Sequence, residues 1–168
     1  ICGGFQILGQ KIKDPDNIVA GIKEIAGLGL LDIETVMFSD KTTIQCDGKL
    51  SNTAGILEGA DGISVNGYEI HQGKSTVNGG KENVILGNET EVKGAVKGKI
   101  IGTYLHGIFD NSEFTSFLLN KIRAGKGFDE VSEYFDFQQF KEKEYDKLAD
   151  VLRNNLNIPE IYRIMDGE

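Results

Sequence analysis

The chain opens Ile1-Cys2-Gly3-Gly4-Phe5-Gln6-Ile7-Leu8-Gly9, and the reading of the whole fold turns on this stretch. A cysteine followed by two glycines and then by a short apolar run suits a sharp turn into a helix. Such a turn holds a reactive side chain clear of its neighbours, and small residues beside it relieve crowding. Cys2 would then stand at the N-terminus of the helix, where the aligned peptide dipoles favour thiolate over thiol, and thiolate is the attacking species. The Gly3 amide is the natural donor to an oxyanion formed there. Two other readings stay open on these residues alone. Cys2 also reads as a small residue filling a tight turn. An N-terminal nucleophile uses the amine of residue 1 as its base, which here would require removal of Ile1.

A cysteine nucleophile needs a base, and imidazole suits it best near neutral pH. The chain has two histidines. His71 lies in Gly67-Tyr68-Glu69-Ile70-His71-Gln72-Gly73. His106 lies in Gly102-Thr103-Tyr104-Leu105-His106-Gly107-Ile108-Phe109-Asp110-Asn111. A histidine by itself is more often structural or solvated than catalytic. His106 has the better setting: it follows an apolar run and precedes a glycine and a helix cap, the kind of strand-end loop where sites collect in α/β folds.

The opening Cys-Gly-Gly-Phe-Gln-Ile-Leu-Gly resembles the nucleophile turn of triad-type (class I) glutamine amidotransferases, and its Cys-Gly-Gly-aromatic-Gln form is similar to their cobalamin-pathway branch. Both histidine motifs resemble those of the cobyric acid synthase family. So does the run from Phe140 to Arg153, Phe-Lys-Glu-Lys-Glu-Tyr-Asp-Lys-Leu-Ala-Asp-Val-Leu-Arg. The matches are spread along most of the chain. The resemblance implies a class I glutamine amidotransferase-like, flavodoxin-like three-layer α/β domain with two C-terminal helices. It implies Cys2 as nucleophile, His106 as base and Gln6 as a holder of glutamine, with Gly3 at the oxyanion. Tyr68, Glu69 and His71 are expected to shape the glutamine pocket or its turn. Other class I members place a Glu two residues after the His to orient it; here that position is Ile108, and the cobalamin branch generally lacks this Glu. Glu69 and Asp110 are the candidate substitutes.

The same resemblance implies that ammonia released from glutamine passes to an ATP-dependent synthetase domain, which amidates carboxylates of adenosylcobyrinic acid a,c-diamide. Glutamine, that domain and the corrinoid acceptor are the expected partners. ATP and Mg belong to the synthetase domain, and this chain itself calls for no cofactor and no metal. The chain begins with Ile1 and its first methionine is Met37, which suits a fragment or a processed product; the resemblance implies that residues 1–168 are one partial domain lacking its N-terminal strands, with weak or no glutaminase activity by itself. Alternatives are a sister amidotransferase (cobyrinic acid a,c-diamide synthase or the glutaminase subunit of lipid II isoglutaminyl synthase), a cysteine hydrolase of other substrates, and a non-catalytic module that keeps the fold.

Bulk properties agree with a globular domain. Of 168 residues, 39% are hydrophobic and 26% charged, and the net charge is −8. An acidic chain lacks the basic surface that nucleic acid requires. The apolar runs, such as Gly27 to Leu31, are too short to span a bilayer. The two cysteines, Cys2 and Cys46, do not suggest a disulfide framework or a zinc site, and a reducing cytoplasm is expected.

The patterning predicts a short helix from Phe5 and a helix-like segment from Ile18 to Leu31 carrying Ile18, Ile22, Ile25 and Leu28. Two strands are expected between Ile33 and Cys46, around a turn at Ser39-Asp40-Lys41. Ile63 to Ile70, Asn83 to Leu86 and Lys99 to Tyr104 are further strands, with a tight turn at Asn66-Gly67. Asn111 or Ser112 can cap a helix with Phe114, Phe117, Leu118 and Ile122 on one face, closed by Gly125. A last helix runs from about Phe137 to Leu156, burying Leu148, Val151, Leu152 and Leu156, and Pro159 follows its end. Together the two helices would cover the sheet. Gly73-Lys74-Ser75 is not a phosphate loop: five residues separate Gly67 from Gly73 where the motif needs four, and Thr76-Val77-Asn78-Gly79-Gly80 is a poor helix start.

Overall fold

The structure, a computed structural model, describes residues 1–19, 21–77, 84–88, 91–132 and 135–167. Asn83 and the Asn78-Gly79-Gly80 stretch lie outside the described residues. The chain forms a mixed α/β fold in two compact units, Ile1–Tyr134 and Phe135–Glu168.

The first unit begins with helix α1 (Gly3–Leu8), which stops where Gly9 turns extended. Strands β1 (Lys11–Lys13) and β2 (Glu24–Ala26) follow. The helix expected from Ile18 to Leu31 does not form. The Asp14 carboxylate accepts the amides of Ile18 and Val19 at 2.7 and 2.8 Å, and such local bonds compete with helical ones. The amides of Leu28, Gly29 and Leu30 go instead to the carbonyls of Ile7, Gly9 and Leu8. This segment therefore seals the end of α1.

Strands β3 (Ile33–Lys49) and β4 (Ser64–Val77) pair antiparallel along nearly their whole length, from Ile33 opposite Val77 to Lys49 opposite Ser64. The two strands expected before Cys46 are this one strand. The register slips between Val36 and Lys41, so Ser39-Asp40 marks a bulge rather than a turn. Asn66-Gly67 likewise lies within β4 and makes no turn. The first sheet has the order β2-β1-β3-β4, with β1 parallel to β3. A second, antiparallel sheet holds β5 (Val84–Asn88), β6 (Glu91–Lys97) and β7 (Ile100–Thr103). Helix α2 (Ser112–Ala124) follows a 3₁₀ turn at Ile108–Asp110. Its Phe114 is buried with Val65, Ile85, Val96 and Leu105, and Phe117 and Leu118 pack against them, while Ile122 is exposed.

A second cluster joins α1 to the sheets. Phe5, Leu31, Ile33, Val92 and Tyr104 are buried together, and Phe5 meets the Tyr104 ring edge-on with centroids 5.0 Å apart. Phe5 lies so close over Gly102 that a Cβ there would collide with its ring. Beside this cluster Glu69 of β4 ties three elements together. It accepts from the Cys46 thiol of β3 at 2.8 Å, the Lys93 ammonium of β6 at 3.0 Å and His71 Nε2 at 3.2 Å. Burial by itself would raise its pKa. The hydrogen bonds from His71, Cys46 and Lys93, with the Lys93 charge, outweigh burial and hold the carboxyl down at about 2.

The second unit holds α3 (Phe137–Asn155), capped by the Asp136 carboxylate on the Gln139 amide, and α4 (Ile158–Met165). Within this unit Leu148, Val151, Leu152 and Leu156 of the expected apolar stripe each keep about half their surface uncovered. An amphipathic spacing fixes which face is apolar, not what covers it. Pro159 follows the end of α3, as expected, and sits in the first turn of α4, where its missing N–H costs no hydrogen bond.

Gly102→Ala should destabilise the first unit by about 1–3 kcal/mol, because Phe5 has no room to yield; a lowered urea midpoint checks this. Glu69 has a folded-state pKa below its ordinary 4.5, so its share of stability is full above that value and is lost as pH falls toward about 2. Acid titration of unfolding should show this loss in the wild type and a flatter profile over the same window in Glu69→Gln.

Candidate active site

Cys2 stands at the entry of α1 with φ 56° and ψ −121°, a backbone conformation that costs a non-glycine residue of order 1–3 kcal/mol. It is fixed there by its neighbours. The Cys2 amide donates to the Thr103 carbonyl at the end of β7 at 2.9 Å, and its carbonyl accepts from Phe5 and Gln6 at 2.8 and 3.1 Å. The bend leaves the thiol partly exposed and the Gly3 amide without an acceptor among the described residues. A Cβ at Gly3 or Gly4 would meet nothing within 4 Å. The two glycines therefore leave open space over the turn; within this chain they relieve no crowding, contrary to the expectation from the motif.

The Cys2 thiol donates to the Ile70 carbonyl of β4 at 3.4 Å. Two residues earlier on the same strand, Tyr68 pairs with His106 through both main-chain hydrogen bonds, at 2.8 and 3.1 Å. Alternate strand residues share a face and lie about 7 Å apart. Cys2 and His106 are thus gathered at one stretch of β4, and again through β7, since the Cys2 amide is tied to Thr103 three residues before His106. No hydrogen bond joins the thiol to the imidazole. Reactive pairs often tighten only around substrate.

Several contacts hold the His106 loop in place. Thr103 Oγ1 donates to the Lys93 carbonyl and accepts from the Leu105 amide. Asn111, buried at the N-cap position of α2, uses its side chain elsewhere: it accepts from the Asn66 amide and donates to the carbonyls of Asn66, Gly107 and Ile108. The Tyr68 ring lies nearly parallel to the His106 ring, at 9° with centroids 5.0 Å apart. His106 Nε2 is buried and has no hydrogen-bond partner among the described residues. An orphaned buried nitrogen carries a penalty of about 1–3 kcal/mol, which native folds tolerate chiefly where function needs the group free.

The remaining site candidates fall on other sides of this stretch. Gln6 is buried, and its amide nitrogen donates to Tyr104 Oη and the Gln72 carbonyl, tying α1 to β4. Glu69 points to His71, Cys46 and Lys93 and makes no bond to His106, so it is not the substitute for the missing orienting carboxylate; Asp110 makes none either. Glu69 and His71 line a cavity of about 200 Å³ together with Asp40, Lys74, Lys93 and Tyr104, whose wall includes neither Cys2 nor His106. Tyr104 is the residue that the motifs alone do not single out, because a tyrosine closing an apolar strand reads as core. Its hydroxyl joins Gln6 to Ser75, which in turn bonds Thr35, and its ring stacks on His71 at 3.7 Å. Burial raises its pKa, against the opposing hydrogen bonds of Ser75 and Gln6. Among the described residues no group of three His, Cys, Asp or Glu side chains is placed to hold a metal, and no helix is long and apolar enough to cross a membrane.

Comparison with known proteins bears on this geometry. A family model described as a CobB/CobQ-like glutamine amidotransferase domain matches residues 1–114. The cobyric acid synthase of Thermoanaerobacter sp. (strain X514) is 46% identical over 175 residues, which cover 99% of this chain and 34% of that protein. Those of Clostridium novyi (strain NT) and Streptococcus sanguinis (strain SK36) are 43% and 41% identical, over 99% and 100% of the chain and 33% and 34% of their own lengths. The chain spans about a third of the curated relatives it matches. The family match takes in both Cys2 and His106, and the chain belongs to the CobB/CobQ-like glutamine amidotransferase family.

Proposed function

We propose that this chain hydrolyses glutamine as the amidotransferase part of a cobyric acid synthase, with Cys2 as nucleophile and His106 as base. The observation that carries the reading is the strained Cys2 turn set along the same stretch of β4 as an imidazole whose Nε2 has no partner among the described residues. The thiol leaves the Ile70 carbonyl and gives its proton to His106. The thiolate attacks the side-chain carbonyl carbon of glutamine, and the Gly3 amide stabilises the oxyanion. The tetrahedral adduct collapses with loss of ammonia, which takes the proton back from His106. A γ-glutamyl thioester remains on Cys2. His106 then takes a proton from water as it attacks the thioester, and the breakdown of that adduct releases glutamate and restores the thiol. The open space over Gly3 and Gly4 lets the substrate backbone approach the turn.

The ammonia goes to the synthetase part of the parent protein, where ATP and Mg support amidation of adenosylcobyrinic acid a,c-diamide in the cytoplasm. The glutaminase step draws on no cofactor. The two cysteines divide sharply in this reading. Burial first, and the adjacent Glu69 carboxylate second, push the Cys46 thiol up to about 11, so at neutral pH it is held as unreactive thiol.

In the full-length protein, a diazo-ketone glutamine analogue should label Cys2 and spare Cys46, and excess glutamine should protect Cys2; peptide mass mapping reads both. Labelling at Cys46, or labelling at Cys2 that glutamine leaves untouched, would remove the basis for a glutamine site. Cys2→Ala should abolish glutamine hydrolysis, and His106→Ala should lower kcat/KM by about 10²- to 10⁴-fold, the usual weight of a general base. Glutamate release without the acceptor substrate is the measurement.

A further inference from the structure

We infer that Tyr68 is the positioning residue for His106, holding the imidazole by the stack of its aromatic face. The inference rests on the reading of Cys2 and His106 as a catalytic pair.

An imidazole base has to be held in one plane, and the means available here are few. Ile108, two residues after His106, is buried in the apolar core and offers no hydrogen bond. Glu69 is committed to His71, Cys46 and Lys93, and no carboxylate among the described residues bonds to the His106 ring. The paired main-chain bonds to Tyr68 fix the His106 backbone, yet they leave its two side-chain torsions free. The contact that restrains the ring itself is the parallel Tyr68 ring, 9° from coplanar at 5.0 Å. That contact depends on Gly67: a Cβ there would strike the His106 carbonyl and push the two strands apart. The stack also suits the chemistry. When His106 takes the thiol proton it becomes a cation over an aromatic face, an attractive arrangement that partly replaces a carboxylate's charge. Tyr68 is 47% exposed, so its far face is open, and its hydroxyl takes part in none of the hydrogen bonds described. The ring, rather than the hydroxyl, is what the site uses.

The test is steady-state glutamine hydrolysis by the full-length protein carrying Tyr68→Phe, Tyr68→Leu or His106→Ala. Tyr68→Phe should keep most of kcat. Tyr68→Leu should lower kcat by about 10- to 100-fold, the scale of a misplaced reacting group, with KM for glutamine within about twofold of wild type. Equal activity of the Phe and Leu variants would overturn the inference. So would a raised KM at unchanged kcat in Tyr68→Leu, which marks a wall of the glutamine pocket. Tyr68→Met repeats the measurement should the Leu variant not fold. Retained activity in His106→Ala would instead overturn the catalytic pair itself, whereas an inactive His106→Ala beside a wild-type-like Tyr68→Leu defeats only the role given to Tyr68.

Discussion

The carbonyl of His106 approaches Gly67 so closely that a side chain at position 67 would displace it. Much of the site depends on that one permitted contact. It lets the loop after β7 pair with the edge of β4 at Tyr68, and Asn111 completes the join by bonding both main-chain groups of Asn66. The pairing carries the imidazole to the strand whose Ile70 carbonyl receives the Cys2 thiol. A glycine within a strand gives up conformational entropy and cross-strand packing, and it is found where another backbone must come near. Here the approaching backbone carries His106.

The other side of β4 does different work with the same segment. Glu69 gathers a thiol, an ammonium and an imidazole from β3, β6 and its own strand, so it ties the two sheets through one buried charge. Breaking one member of a buried ion pair leaves an uncompensated charge, and such a cluster therefore resists piecemeal change. The two thiols meet different partners. Burial first and the Glu69 carboxylate second disfavour the Cys46 thiolate, while the Cys2 thiol donates to the neutral Ile70 carbonyl. The sequence motif Gly-Tyr-Glu-Ile-His divides these contacts between alternate residues: Tyr68 stacks on His106, while Glu69 and His71 bond one another in the interior network.

The Cys2 turn, α1 and the strand-end position of His106 were legible because each rests on local chemistry: small residues at a bend, an apolar run, a glycine after a histidine. Helices α2 and α3 were legible for the same reason, from spacing and caps. The failures were of two kinds. Gly and polar pairs were read as turns at Ser39-Asp40 and Asn66-Gly67, where the structure uses them for a bulge and for a close backbone approach inside long strands. Both depend on a partner strand far away in sequence, which local pattern does not carry. The segment from Ile18 to Leu31 shows helical spacing, yet Asp14 captures the amides that would start the helix. Tyr104 escaped notice because its role exists only once α1, β3 and β4 converge on its hydroxyl.

Tyr104 also shows why the Cys2 turn keeps its strain. The Cys2 backbone is held at positive φ by the Thr103 carbonyl on one side and by the first turn of α1 on the other. That helix is only six residues long, too short to be stable by itself. Its anchorage must come from tertiary contacts: Phe5 against the Tyr104 ring and Gly102, and Gln6 bonded to the Tyr104 hydroxyl. Thr103 and Tyr104 are consecutive, so the residue that pins the Cys2 amide and the residue that anchors the helix behind it move as one piece. His106 follows two positions later on the same loop. Cys2 and His106 thus share a single support, and a shift of that segment moves both together rather than drawing them apart.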